Sequence, residues 1–280
     1  MKKQIPFLIP LFLIFVMCQT GNKKEETVLV FPSDTIPMQY RPGYPNFRML
    51  ILDGIVNDSL PFKVFFNTYI EGSSFSISDS LKNFFVSDSA FVQIGRFKKQ
   101  LRINYLRSDR MNFFNLDAFS GKNSFMVGWQ FFENQIIEFD FQNQRIFVYE
   151  ELPDITEYSK IKIELSQSSK LIIPVHVVVE GKTLEDSVVI DTGYNGYVSL
   201  SSKHFEKQVI YATHSNLGKS TTCTIISADT IKIGDLYVTN QNKDMDILYC
   251  NRSLGLLGTK TMENFSVILD LINYDLYLKN

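Results

Sequence analysis

Alternation of apolar and polar positions is the dominant pattern along this chain of 280 residues. The segment 170–180, KLIIPVHVVVE, is rich in β-branched residues and runs into Gly181-Lys182, which predicts a strand that ends in a turn. The segments 139–148 and 269–278 each predict a hairpin around a short polar turn. Short helices are predicted only at 128–134 and 258–264. The chain is therefore expected to be mainly β.

Three blocks of sequence occur twice, in the same order, at offsets of 124, 139 and 130 residues. The paired blocks are 60–68 with 184–192, 91–95 with 230–234, and 127–148 with 257–278. A repeat of this length predicts two homologous lobes, at residues 46–150 and 161–280. The charged, proline-containing segment 151–160 is then the linker between them.

Composition narrows the class of protein. Hydrophobic residues make up 45% of the chain, which argues against a disordered protein. The 28 basic and 30 acidic residues leave no surplus of cations for nucleic-acid binding. Aromatic residues reach 14%, with 24 Phe and 13 Tyr, and such side chains suit a pleated, half-buried surface. Three cysteines are too few for a scaffold held by disulfides.

The N-terminal segment predicts that the protein is exported from the cytoplasm. Lys2 and Lys3 precede an apolar run at 5–17, which is too short to cross a membrane as a helix and is typical of a secretory signal. The run ends at Cys18, and Phe15-Val16-Met17-Cys18 resembles a bacterial lipoprotein signal.

This resemblance implies a signal peptide at 1–17, a lipid on Cys18 and a polar tether at 18–45. The protein would then lie in the cell envelope, anchored to a bacterial membrane on its periplasmic or outer surface. The alternative is a cleaved signal with an incidental cysteine. Cys223 and Cys250 either pair in such an oxidising compartment or remain separate small buried side chains.

One motif carries candidate chemistry. An apolar strand, Val188-Val189-Ile190, leads into Asp191-Thr192-Gly193, and Leu254-Gly255-Leu256-Leu257-Gly258 follows later. This arrangement resembles the aspartic peptidases of the retropepsin and pepsin type. The resemblance implies two β-barrel lobes of the acid-protease type with pseudo-two-fold symmetry, and a catalytic Asp191, Thr192 and Gly193. In that family two aspartates share one proton and act as general base and general acid, without a metal or other cofactor.

The first lobe departs from the family pattern at the counterpart of this motif, which reads Asn67-Thr68-Tyr69. The resemblance implies that the two threonine hydroxyls join the loops across the pseudo-two-fold axis, and Thr68 and Thr192 are both present. Asn67 is nearly isosteric with Asp, but its amide cannot ionise. We expect Asp191 to be a lone carboxylate that accepts a hydrogen bond from Asn67.

A second departure concerns the flap, the hairpin that covers the cleft in this family. Between the motif and the next Ile-Gly pair the first lobe is 15 residues shorter than the second. The second lobe keeps a candidate flap, whose possible substrate contacts are His214, Leu217 and Gly218.

Two functions are compatible with these features. In the first, proteolysis is weak or lost and the cleft between the lobes binds a peptide or an unfolded protein segment. The alternative is an active aspartic endopeptidase that uses Asp191, either alone or in a homodimer. A monomer is expected, because a homodimer would need the first lobe to leave the surface that it covers. The histidines at 176, 204 and 214 form no recognisable Ser-His-Asp or metal-binding pattern, so no metal or other cofactor is expected.

Overall fold

The computed structural model describes residues 30–40, 50–70, 74–78, 82–83, 85, 87–106, 124–204, 212–216, 219–242 and 244–280. In this structure 55% of the residues are in strands and 7% are in helices, which confirms the prediction that the fold is mainly β. The strands in the first half of the chain are β1 (Asp34–Gln39), β2 (Leu50–Val56), β3 (Leu60–Phe66), β4 (Ser74–Ser78), β5 (Ser89–Ile94), β6 (Phe97–Leu106), β7 (Ser124–Val127), β8 (Ile136–Asp140) and β9 (Arg145–Tyr149).

The strands in the second half are β10 (Ser159–Lys162), β11 (Glu164–Leu165), β12 (Leu171–Val179), β13 (Lys182–Ile190), β14 (Val198–Leu200), β15 (Ala212–Asn216), β16 (Lys219–Ser227), β17 (Thr230–Ile233), β18 (Leu236–Thr239), β19 (Asp246–Cys250), β20 (Gly255–Leu257), β21 (Ser266–Asp270) and β22 (Asp275–Lys279). Single helical turns occur at Trp129–Phe132, which is a 3₁₀ helix, and at Thr259–Met262, where both short helices were predicted; another 3₁₀ turn lies at Ser202–His204.

The strands form two sheets. The twelve-stranded sheet has the order β10-β22-β21-β8-β9-β1-β2-β3-β7-β4-β6-β5, with a further pairing between β2 and β5. The ten-stranded sheet has the order β15-β16-β19-β14-β20-β13-β12-β17-β18, and β11 pairs with β12. The first of these sheets combines strands from both halves of the chain, since β21 pairs antiparallel with β8.

Over the described residues neither sheet is closed into a barrel, which corrects the expectation of barrel lobes. In the second sheet the reason is a break between two strands. Strand β18, which pairs with β17, ends at Thr239. Strand β19, which pairs with β14, begins only at Asp246, so the two strands are not continuous. In the first half the single long strand β6 pairs with both β5 and β4. The first sheet folds back where β5 pairs with β2, but it extends as an open sheet as far as β10.

Corresponding strand pairs surround the two motifs. Strand β3 runs parallel to β7, with Phe66 opposite Val127, and β13 runs parallel to β20, with Ile190 opposite Leu257. Strands β4 and β14 then pair antiparallel with β7 and β20, respectively. Because β3 ends at Phe66 and β13 ends at Ile190, Asn67 and Asp191 each follow directly after an internal strand.

The tether was expected to reach residue 45, but part of it belongs to the sheet. Strand β1 pairs with β9 along Asp34 to Pro37 and with β2 at Met38 and Gln39. Ile36 and Met38 are buried, because alternate side chains of a strand face the same side and this side is the core. The folded part of the chain therefore includes residues 34–39.

The two halves contribute different side chains to one hydrophobic core. Phe66 contacts Phe132 edge-on, at a centroid distance of 5.4 Å, and stacks on Phe139 at 6.3 Å. In the second half, Val188, Ile190 and neighbouring aliphatic residues take this role. Among the described residues, ring contacts therefore surround the strand that ends at the first motif. No helix among the described residues is long and apolar enough to cross a membrane.

Candidate functional site

Thr68 and Thr192 join the two motif loops through four buried hydrogen bonds. The backbone N–H of Thr68 donates to Thr192 Oγ1 at 3.1 Å, and the backbone N–H of Thr192 donates to Thr68 Oγ1 at 3.0 Å. Each hydroxyl in turn donates to a carbonyl of the other half, Thr68 to Ile190 at 2.6 Å and Thr192 to Phe66 at 2.9 Å. Both threonines are fully buried. The expected hydrogen bonding between the loops is therefore present.

The side chains of Asn67 and Asp191 lie on either side of Gly193. A Cβ atom built on Gly193 would lie 2.2 Å from Asn67 Nδ2 and 3.1 Å from Asp191 Oδ1. Only a residue without a side chain allows the two groups to approach each other in this way. The first loop carries the large side chain of Tyr69 at the position that corresponds to Gly193.

The expected hydrogen bond between Asn67 and Asp191 is absent from the bonds of the described residues. Each side chain instead accepts a hydrogen bond from its own loop: Tyr69 N donates to Asn67 Oδ1 at 2.8 Å, and Gly193 N donates to Asp191 Oδ1 at 2.9 Å. This local bond is the usual one for Asn and Asp in turns. It fixes both side chains by the backbone of their own loops.

Asp191 is nearly withdrawn from water, with 4% of its surface exposed, whereas Asn67 and Gly193 are half-buried. Burial raises the pKa of the Asp191 carboxyl to about 6, although the N–H of Gly193 and the charges of Arg252 and Lys170 act in the opposite direction. A carboxyl of this kind changes its charge in the weakly acidic range. It can therefore hold or release a proton near neutral pH.

Two cations whose charges act on Asp191 were not predicted from the sequence. Lys170 precedes β12 and is only 7% exposed; its Nζ donates to the carbonyl of Tyr69 and lies 3.6 Å from the centroid of the Tyr69 ring. Arg252 follows β19, and its charge acts on Asp191 and on Tyr194. Lys170 is buried and Arg252 is half-buried, and neither residue has a neighbouring sequence motif that marks it.

The loop after Asp191 is held by the turn before the short helix at Thr259–Met262. Thr259 donates both its backbone N–H and its hydroxyl to the carbonyl of Tyr194, at 2.9 and 3.3 Å. A Cβ on Gly258 would lie 2.5 Å from the same carbonyl oxygen, so this close approach requires glycine. The element 254–258, quoted for its resemblance, thus packs directly against the motif loop.

The candidate flap is described only in part. Strands β15 and β16 form an antiparallel hairpin in which His214 pairs with Thr221. Leu217 and Gly218 lie outside the described residues, and only the backbone of His214 is described. Cys18, the signal segment at 1–17 and most of the tether also lie outside them.

The other histidines have structural surroundings. His176 on β12 lies 3.5 Å from the Glu185 carboxylate on the adjacent strand, and a ring nitrogen of His204 contacts the Glu185 carbonyl at 3.0 Å. Within the part of the chain that the structure describes, no group of three His, Cys, Asp or Glu side chains is arranged to hold a metal ion.

Cys223 and Cys250 form a disulfide, an alternative that the sequence left open. They lie opposite each other on β16 and β19, and both are fully buried. The Sγ atom of Cys250 is 3.2 Å from the Ser199 hydroxyl and 3.2 Å from Nη2 of Arg252. The bond therefore ties the second strand of the candidate flap hairpin to the strand that precedes Arg252.

Two concave surfaces of the described residues lie away from this site. One, of about 480 Å³, is lined by Asp53, Pro61 and Lys63 among others, and another, of about 460 Å³, by Tyr197, Tyr237 and several amides of the 239–245 segment. Neither includes Asn67 or Asp191. The motif loops and these two concave surfaces are thus separate features.

Comparison with known proteins supplies no assignment. No family model matches the chain, and no curated protein matches it at a significant level.

Proposed function

We propose that this protein is a cell-envelope lipoprotein of the retropepsin-like aspartic peptidase type, in which proteolysis is weak or lost and the cleft between the lobes binds a peptide or an unfolded protein segment. The observation that carries the proposal is the reciprocal hydrogen bonding of Thr68 and Thr192. It sets Asn67 and Asp191 side by side, with a single carboxylate where a catalytic pair would stand.

The two halves are, in this proposal, copies of one unit related by a pseudo-two-fold axis. The bonds within and between the two motif loops have counterparts 124 residues later: the threonine bonds, the Asn67 and Asp191 side-chain bonds, and the backbone bonds from Ile70 to Asn67 and from Tyr194 to Asp191. Independent loops would have no reason to repeat these bonds at the offset that aligns the sequences.

Loss of proteolysis is argued from the groups around Asp191. Aspartic peptidases need two carboxyls that share one proton, so that one accepts a proton from water while the other donates to the substrate carbonyl. Asn67 can act neither as the general base nor as the general acid, because its amide does not ionise. Burial raises the pKa of Asp191 to about 6, so this carboxyl can hold a proton, but Asn67 offers no second carboxyl to share it.

A monomer is favoured over a homodimer of two Asp191 loops. In the monomer the backbone N–H and hydroxyl of Thr192 are both satisfied by Thr68 and Phe66 of the same chain. A second Asp191 loop could replace the first-half loop only after those buried bonds were broken.

The cell-envelope location has one further support. Disulfides persist in oxidising compartments and are rare in the bacterial cytosol, and Cys223 is bonded to Cys250. Together with the resemblance at 15–18, this favours export and anchoring through a lipid on Cys18.

The test is a cleavage assay on the full-length chain, purified in detergent, with reduced and alkylated casein as the unfolded substrate, from pH 3.5 to 7.5. Wild type, Asp191→Asn, Asn67→Asp and the double variant Asn67→Asp/Asp191→Asn are compared. We expect no cleavage by wild type and measurable cleavage, strongest below pH 6, by Asn67→Asp, which restores the paired carboxyls. The double variant should be inactive.

Cleavage by wild type that Asp191→Asn abolishes would contradict the non-catalytic function and establish the active endopeptidase instead. Binding is measured separately, by retention of the same casein on the immobilised chain. Failure of wild type to retain casein at any pH would contradict the peptide-binding role.

A further inference from the structure

The second sheet has a concave surface at its break. Strand β18 ends at Thr239 and β19 begins at Asp246, and the segment between them lines a concavity of about 460 Å³. In the first half, β6 runs without interruption from its pairing with β5 to its pairing with β4. Only the second half therefore divides this strand, and the dividing segment forms a concavity whose volume lies in the usual range of ligand sites.

Asn240 holds the dividing segment in place. Its Oδ1 accepts the backbone N–H groups of Asp244 and Met245, at 3.0 and 3.2 Å, and its Nδ2 donates to the Ala228 carbonyl at 2.7 Å. Met245 is buried, and its carbonyl accepts the N–H of Ala228 at 3.0 Å. These bonds fix the backbone of the lining before a ligand arrives, so little conformational freedom is lost on binding.

Carboxamides dominate the lining of this concavity. They are five of its eleven residues: Asn240, Gln241, Asn242, Asn264 and Asn280. Gln241 and Asn242 are exposed, and among the described residues their side-chain amides take part in no hydrogen bond. Asn264 donates its Nδ2 to the carbonyls of Lys260 and Thr261, which leaves its Oδ1 as an acceptor. The lining therefore offers neutral groups that both donate and accept hydrogen bonds.

Two tyrosines add apolar ring faces to these amides. Tyr237 on β18 is 54% exposed and Tyr197 is half-buried, and both line the concavity. Asp244 contributes an exposed carboxylate, which repels an anionic ligand. A sugar suits such a surface, because its ring has C–H groups on its faces and, at its edge, hydroxyls that donate and accept.

The concavity does not end at these residues. A second one, of about 270 Å³, shares Asn264 and Asn280 with it and includes Gln142. The two neighbours together form an elongated surface, which we call the amide groove, and this shape suits a chain of sugars better than a single ring.

We propose that the amide groove binds a neutral oligosaccharide, whose rings pack on Tyr197 and Tyr237 and whose hydroxyls bond to the carboxamides. The groove includes neither Asn67 nor Asp191. The inference therefore goes beyond the proposed function and is tested independently of it.

The test is isothermal titration calorimetry of the full-length chain at pH 7.5, in a detergent without a sugar headgroup. The neutral probes are maltohexaose, cellohexaose, mannohexaose and chitohexaose. We expect at least one of them to bind with a dissociation constant below about 1 mM. The hexamer of galacturonic acid is the anionic probe and should bind about tenfold more weakly than that glycan, because Asp244 repels it.

Variants assign the binding to the groove. Tyr237→Ala should weaken it about tenfold through the loss of the ring, and Gln241→Ala/Asn242→Ala by a similar factor through the loss of hydrogen bonds. Phe91→Ala is the matched ring control, because Phe91 is 47% exposed and each of the two rings has a lysine Nζ near its centroid, at 5.1 Å for Phe91 and 5.4 Å for Tyr237. Gln100→Ala, at an exposed amide of β6, is the control for the amides.

Failure of all four neutral glycans to bind would overturn the inference, while retention of casein would still test the peptide-binding function. Binding that survives both Tyr237→Ala and Gln241→Ala/Asn242→Ala would overturn it as well, since the sugar would then lie elsewhere. Equal or tighter binding of the galacturonate hexamer would contradict a neutral ligand. Loss of casein retention in the groove variants would assign the groove to the peptide instead of a sugar.

Discussion

Each of the turns at 67–70 and 191–194 begins with a side-chain oxygen that accepts the backbone N–H two residues later, and each contributes a buried threonine to the other turn. The loops differ in the groups that project from this frame: Asn67 and Tyr69 on one side, Asp191 and Gly193 on the other. The hydrogen bonds that hold the loops together thus depend on the threonines and the backbone. The ionisable group can therefore differ between the loops without disturbing these hydrogen bonds.

Removal of both threonine hydroxyls has the largest expected effect. Thr68→Val combined with Thr192→Val keeps the shape but leaves two buried N–H groups and two buried carbonyls without their partners, at a cost of about 4–6 kcal/mol. Each single variant should cost about half of this, because the two loops make equivalent bonds. Urea denaturation measures it, with the exposed Thr239→Val as control. A large difference between the stability losses of Thr68→Val and Thr192→Val would show that the two loops are not equivalent.

Loss of the disulfide comes next and should affect only the second half directly, because the predicted first lobe, 46–150, contains no cysteine. The bond closes a loop of 27 residues, and its removal by Cys223→Ser/Cys250→Ser should lower the free energy of unfolding by about 3–4 kcal/mol. Wild type with dithiothreitol should behave like the double variant. Two free thiols in the untreated, denatured protein would contradict the pairing.

The buried Asp191 carboxyl predicts that the free energy of unfolding depends on pH, whereas Asn67, which does not ionise, contributes no such dependence. The pKa of Asp191 is about 6 in the folded chain and about 3.9 in an unfolded one, so the folded state keeps the proton longer. The free energy of unfolding should therefore fall as the pH rises from 4 to 6. Above pH 6 this loss is complete and amounts to about 3 kcal/mol.

Asp191→Asn should remove this dependence and be more stable than wild type at pH 7.5 by up to about 3 kcal/mol. Thermal and urea unfolding between pH 4 and 8 provide the measurement. Asp53→Asn, at an exposed carboxylate of the first half, is the matched control. If Asp191→Asn is less stable than wild type at pH 7.5, the attraction between the carboxylate and the cations outweighs the cost of burying the charge.

The smallest expected effect on stability is that of replacing Gly193, which has Tyr69 as its counterpart in the first loop. Gly193→Ala would bring a Cβ to 2.2 Å from Asn67 Nδ2, and the shift of that side chain should cost about 1–2 kcal/mol. Asn67→Ala in the same chain should recover most of it, because the obstructing amide is then gone. A double variant no more stable than Gly193→Ala alone would mean that the strain lies in the backbone.

The parts of the site that were predicted from the sequence are those carried by short, continuous motifs. Thr68 and Thr192 could be paired because a strand and the turn after it are local, so one alignment at offset 124 brings both into register. The hairpins of β8 with β9 and of β21 with β22 were predicted for the same reason. Local propensity and turn chemistry determine such units before the chain folds.

Lys170 and Arg252 could not be found in this way. They stand 21 and 61 residues from Asp191 in sequence, and nothing in their neighbourhoods marks them. Their position depends on the pairing of β12 with β13 and on the parallel pairing of β14 with β19. The tether prediction failed at β1 for a related reason, since six residues interrupted by Pro37 form a strand only because β9 and β2 lie beside them.

The sequence by itself determined that the chain is mainly β, that three of its blocks recur, and that one motif has a carboxylate where its counterpart has an amide. Tertiary structure decided that neither sheet closes over the described residues, that Cys223 pairs with Cys250, and that the charges of Lys170 and Arg252 act on Asp191. The physical reason is distance along the chain. Alternation and turn residues act over a few positions, whereas charge balance and cross-linking depend on which distant strands are neighbours, and on their register.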